Sequence, residues 1–155
     1  MQEYIHTCDT CLRVKYQRKG LAGLLQPLPV PEQKWQSVSM DFIVELLLTI
    51  RGHTGIVVFV DRLTKMVRLA PLRTDFSSSD VADLLISQVF RHHGLPTELI
   101  TDRDPRFTSA FFRRLTEKWE VKQKMSTSYH PQTDGQTEVM NRTLEDYLRA
   151  VTRNG

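Results

Sequence analysis

The chain has 155 residues, 40% of them hydrophobic and 25% charged, with a formal net charge of +3. That length suits one domain with a short appendage, and the composition excludes a disordered chain or a fibrous repeat. No apolar run approaches the roughly 18 residues that span a bilayer, so no membrane partner is expected.

The beginning, "MQEYIHTCDTC", lacks the basic and apolar regions of a secretory signal and points to a cytosolic or nuclear setting. Its Cys8 and Cys11 have the spacing of half a zinc site. Four-coordinate zinc needs two more ligands, and His6 is the one histidine nearby, so bound zinc is not expected in this chain. Residues 20–33 carry Pro27, Pro29 and Pro31 on alternate positions, which imposes an extended segment without ladder donors. The expected organisation is an appendage over 1–19, a proline-rich linker over 20–34, and a globular part from Trp35 to the end.

From "WQSVSMDFIVELLL" a period-2 strand is expected, with Val38, Met40, Phe42 and Val44 on one face and Ser37, Ser39, Asp41 and Ile43 on the other. The run "GIVVFVD" (55–61) reads as a central strand, and "KMVRLAPL" (65–72) as its hairpin partner. "SSSDVADLLISQVFRHHGLP" predicts a helix. Ser77 and Asp80 cap it, Val81, Leu84, Leu85 and Val89 form its stripe, and Gly94 with Pro96 stops it. The strand "TELIT" then returns through a crossover and should lie parallel. A helix bearing Phe112, Leu115 and Trp119, a strand near 121–126, and a breaker-rich loop "YHPQTDGQ" follow. The last helix places Met140, Leu144, Tyr147, Leu148 and Val151 on one face. This order predicts an α/β fold, a mixed sheet with helices on its faces.

Asp41 interrupts an apolar strand, and Asp102 stands where "TELIT" leaves the sheet. If those strands pair in parallel, their carboxylates meet, and Glu138 follows a loop able to lean over the same edge. Three carboxylates at one point need a cation, and hard oxygen donors describe a magnesium or manganese site, with two ions for phosphodiester chemistry. Each acid also has a plain alternative. Asp41 fits a buried ion pair, Asp102 a turn cap before Pro105, and Glu138 a salt-bridge row with Arg142, Glu145 and Arg149. Residues 103–124 hold seven bases against three acids, which suits a solvated helix face or a phosphate-facing surface.

Thirty-five residues separate Asp102 from Glu138, and with Asp41 they form a two-aspartate, one-glutamate pattern. With the segments "VSMDF", "FVDRLTKM", "VFRHHGLP", "TDRDPRFTS", "KMSTSYHPQTDGQTE" and "NRTLEDYLRA", it closely resembles gypsy-type LTR retrotransposon integrases over nearly the whole chain. The resemblance implies an RNase H-like mixed five-stranded sheet and catalysis by Asp41, Asp102 and Glu138 with two Mg²⁺ or Mn²⁺ ions. It implies 3′-end processing and strand transfer of element DNA, nuclear action, and homo-oligomeric assembly. Cys8 and Cys11 match the tail of the family's N-terminal zinc module, and the helix after Glu138 matches a catalytic core that stops early, so residues 35–155 are expected to be a C-terminally truncated core. Arg103, Arg106, Lys122 and Lys124 are expected to take DNA phosphate, with His130, Gln132 and Gln136 as polar contacts from the loop. The competing expectations are a metal-dependent nuclease of the same fold and an inactive remnant that binds nucleic acid or protein.

Overall fold

The computed structural model describes residues 30–125, 142–144 and 146–147. The strands are β1 (Ser37–Ile43), β2 (His53–Asp61), β3 (Val67–Arg73), β4 (Glu98–Thr101) and β5 (Lys122–Met125). The helices are α1 (Ser78–Leu85), α2 (Arg91–His93), α3 (Pro105–Thr108) and α4 (Ala110–Lys118), with a π-helical segment, Ile86–Phe90, joining α1 to α2. The sheet order is β3-β2-β1-β4-β5. β1, β2 and β3 form an antiparallel meander, while β4 is parallel to β1 and β5 parallel to β4. The mixed five-stranded sheet is thus as expected, with β2 an interior strand paired on both sides and β1 in the middle of the order.

Alternation along the strands divides the core between two faces. On one, Val38 and Met40 of β1 join Val57 and Phe59 of β2 and Leu99 of β4 beneath Val81, Leu85, Val89, Phe107 and Phe112. On the other, Ile43, Val58 and Val60 form a smaller cluster against which Leu144 packs. Residues 142–144 and 146–147 are helical, and through Leu144 this described stretch lies on the second face. Tyr147, expected beside Leu144, is 66% exposed. Three residues advance a helix by about 300°, which turns Tyr147 some 60° off the Leu144 direction.

Val44 also departs from its expected face and is exposed. The β1–β2 pairing ends at Ile43↔Ile56, and the β2–β3 register shifts between His53 and Gly55. A side chain at Gly55 would meet the Ile43 carbonyl at 2.9 Å, so only glycine allows that close approach.

The helix over 78–93 begins as its sequence predicts: the Ser77 and Asp80 side chains each accept the other's backbone N–H. Gly94 ends it at φ 82. The π-helical turn was not expected, but it suits the spacing of the buried residues. Val81, Leu85, Val89 and His93 recur every four residues, and each such step drifts about 40° in an α-helix. A wider turn absorbs the drift. Val89 stays buried as a result, and His93 reaches Trp35, stacking on it at 4.2 Å.

The β2–β3 connection is held by Asp61, which is fully buried. Its carboxylate accepts the N–H of Trp35 at 3.0 Å, of Leu63 at 3.3 Å and of Thr64 at 3.1 Å, besides the Thr64 hydroxyl. Burial alone would raise its pKa, but these four bonds outweigh it and hold the group below the ordinary aspartate range. The stability this bonding gives is present above that range and lost as pH falls through the lowered value. Replacing Asp61 by Ala orphans several donors, among them that of buried Trp35, and should cost about 3 kcal/mol in urea unfolding near neutral pH.

Candidate active site

Met40 is the last residue of β1 to pair with β4, opposite Thr101. One step further along this parallel register stand Asp41 and Asp102, at the edge where β4 ends. The chain reaches this arrangement for simple reasons. β1 continues past Asp41 because Asp41, Phe42 and Ile43 still pair with β2, while β4 stops at Thr101 and the backbone turns away. Asp41 is half-buried, and its Oδ1 accepts the Phe42 N–H at 2.8 Å.

Asp102 is exposed at the surface, and its Oδ1 accepts the Asp104 N–H at 3.1 Å. The turn-stabilising role weighed for it is therefore real, but the helix cap itself is Asp104, which accepts the Arg106 N–H at 2.9 Å. Protein packed around the Asp102 carboxyl raises its pKa, and the Asp104 charge adds to this. The Asp104 N–H and Arg106 act in the opposite sense without cancelling it. Asp104 is held low, chiefly by Arg106, whose Nε donates to it at 2.6 Å.

Arg106 lies beside these acids and faces inward. Its guanidinium sits 4.0 Å from the Phe76 ring centroid and 4.8 Å from that of Phe42, and Phe42 stacks on Phe107 at 4.5 Å. Because Phe42 follows Asp41 and Arg106 belongs to the turn after Asp102, this contact clamps the two strand ends together on the helix side of the sheet.

The remaining expected contacts are spread out. Arg103 is exposed directly beside Asp102. Lys122 is exposed and stands opposite Glu98 in the β4–β5 register, at the other end of β4 from Asp102. Lys124 ion-pairs with Glu98, which also accepts the Ser37 hydroxyl at 3.0 Å and lies 3.8 Å from Arg62. Burial pushes the Glu98 pKa up, but the Lys124 and Ser37 bonds prevail and lower it. Glu138, His130, Gln132, Gln136, Cys8 and Cys11 lie outside the described residues, and so do the segment 1–19 and most of the proline-rich linker. The helix through Leu144 nonetheless packs on the sheet face that carries Asp41, since Asp41 alternates in step with Ile43 and pairs with Val58.

The integrase core domain profile matches residues 31–131. The chain belongs to the integrase core family. Two fission-yeast relatives, the Tf2-3 and Tf2-4 transposon polyproteins of Schizosaccharomyces pombe (strain 972 / ATCC 24843), are each 39% identical over 151 residues. That alignment takes in 97% of this chain and 11% of each polyprotein, so the chain spans about a tenth of those relatives. It agrees with the gypsy-type resemblance of the motifs. Among solved structures, a chain of the simian T-cell lymphotropic virus intasome in complex with PP2A regulatory subunit B56 gamma superposes with a TM-score of 0.61 at 19% identity. It covers 90% of this integrase core chain and 48% of the intasome chain, a likeness of fold.

Sequence reading missed two residues that shape this integrase core, the inward use of Arg106 and the buried hub at Asp61. The Asp104–Pro105 pair, a cap residue before proline at the first helical position, is the signal that could have found the short helix α3 that carries Arg106. Arg106→Ala removes a charge-assisted pair and two ring contacts, and should cost about 1–3 kcal/mol in chemical denaturation, with Arg106→Lys recovering only part.

Asp102 should behave in the opposite way to Asp61. Its raised pKa means that ionisation disfavours the folded state, so its contribution falls as pH rises through the carboxylate range. Asp102→Asn should therefore raise the melting temperature near neutral pH in metal-free buffer, and the gain should vanish in acid, where both side chains are neutral.

Proposed function

We propose that this chain is the catalytic core of a gypsy-type retroelement integrase, a polynucleotidyl transferase that processes element 3′ ends and joins them to target DNA. The reading rests above all on the side-by-side register positions of Asp41 and Asp102 at the end of β4. Asp41, Asp102 and Glu138 are the groups that would hold two Mg²⁺ or Mn²⁺ ions. The donors suit such hard cations: both aspartates offer carboxylate oxygens at one sheet edge, and the raised pKa of Asp102 marks a negative charge that its surroundings leave undercompensated. When bound, the metal supplies activation of the attacking oxygen and stabilisation of the leaving one.

The chain's own residues set the remaining terms. Arg106 and Asp104 keep the Asp102 turn fixed, Phe42 secures the residue next to Asp41, and exposed Arg103 is placed to meet phosphate beside the acids. Arg106 and Lys124 already have internal partners, so phosphate contact in this region falls mainly to Arg103, with Lys122 farther along the sheet. In processing, a water oxygen attacks the phosphorus, the bond to the element's 3′ oxygen breaks, that oxygen takes a proton to become the 3′-hydroxyl, and the phosphate leaves on the released nucleotides. In strand transfer, the freed 3′-hydroxyl is the nucleophile and one target phosphodiester is exchanged for a new one. DNA as partner, a nuclear setting and homo-oligomeric assembly belong to the same proposal.

The test pairs metal binding with chemistry. Mn²⁺ should bind the chain in calorimetry, and Asp102→Asn and Glu138→Gln should each weaken binding by about tenfold or more. Strand transfer on a matched element end, with flanking domains supplied, should disappear in both variants rather than diminish. Undiminished Mn²⁺ affinity in Glu138→Gln would return that residue to a surface salt-bridge row. Cleavage without joining would favour the nuclease.

A further inference from the structure

At the end of the sheet where β2 begins and β3 finishes, a groove of about 600 Å³ opens between those strands and α1. Its floor is apolar: Leu72 is buried, and Phe76 and Leu84 are half-buried and pack against the main core. Its rim is acidic, formed by exposed Asp75, Asp80 and Asp83, with Arg73 as the one arginine or lysine among the described residues of the lining. The carboxylate of Asp80 is fixed by the Ser77 hydroxyl and N–H, which hold its pKa low, so this group is charged at neutral pH.

This charge runs against the balance of the chain, which is +3 overall. Phosphate is repelled by such a rim, so the surface is unsuited to DNA. A volume in the range of ordinary ligand sites, with an apolar base and anions above it, matches an aliphatic side chain flanked by cations. We propose that the groove docks a short lysine- and arginine-bearing segment of another protein, with one aliphatic side chain on Leu72 and Leu84 and its cations on Asp75 and Asp83. The occupant is chosen by charge complementarity. The site also lies behind the acid pair, because Phe76 lines the groove and its ring stands 5.0 Å from that of Phe42, the residue after Asp41.

A fluorescein-labelled twelve-residue peptide of alternating lysine and leucine provides the probe, with its glutamate–leucine counterpart as control, read by anisotropy on the chain. The lysine peptide should saturate at one to one and the glutamate peptide should not bind. Asp75→Asn with Asp83→Asn should weaken the lysine peptide by about tenfold, since two rim contacts are lost, and Leu84→Ala should weaken it as well. Both aspartates are exposed and outside the core, so the double variant should keep the wild-type melting profile. Amide resonances of His53, Asp75 and Phe76 should shift on titration, a readout that needs no variant. Binding indifferent to the double substitution, or shifts scattered away from these residues, would each overturn the proposal. Failure here leaves the integrase reading untouched, because that rests on Mn²⁺ and the acids.

Discussion

The parallel pairing of β1 with β4 is the constraint on which the rest of the structure turns. It joins segments 61 residues apart, as the Ser37–Glu98 bond shows, and brings one acid from each strand to a common edge. Like charges at such an edge repel, and the pairing alone offers nothing to offset that. The offset comes from the helix side. There Arg106 is held by Asp104 and lies against Phe42 and Phe76, so a cation and three aromatic rings, counting Phe107, lock the two strand ends from behind. The two sheet faces thus divide the work, one tying the strand ends and the other carrying the carboxylate of Asp41.

The same division continues away from the acids. Ser37, Ser39 and Asp41 share a face of β1 with Glu98 on β4 and with Lys122 and Lys124 on β5, as the registers require. This polar row is built of internal pairs at its far end, where Glu98 satisfies Lys124, Ser37 and Arg62. At the Asp102 end the balance reverses, and the Asp102 carboxyl is pushed toward its neutral form. One row of side chains therefore grades from neutralised to undercompensated charge, and its undercompensated end is the edge where Asp41 and Asp102 lie.

Much of this was legible in the chain itself. Alternation around Asp41 set the faces of β1, the run through Val60 set a buried strand, and Ser77, Asp80 and Gly94 marked the ends of one helix. Each of these signals is local, carried by periodicity or by a cap within a few residues. The inward role of Arg106 was not legible, because its ring partners lie 64 and 30 residues earlier and nothing near Arg106 distinguishes it from Arg103. Lys124 was misleading for the same reason, since Glu98 becomes its neighbour only when β4 and β5 pair. The π-helical turn was not legible, because a four-residue spacing of apolar residues is also the ordinary stripe of an α-helix.

Pro71 has a consequence for how the folded chain behaves among its own copies. It stands in β3, an edge strand of the sheet, with its side chain exposed. An edge strand offers its backbone to any incoming strand, and open edges are where sheets grow into aggregates. Proline has no N–H to give, and Arg68 and Arg73 add charge on the same strand. Sheet growth through β3 thus meets a missing donor in mid-strand, which makes that edge a poor template for an incoming strand.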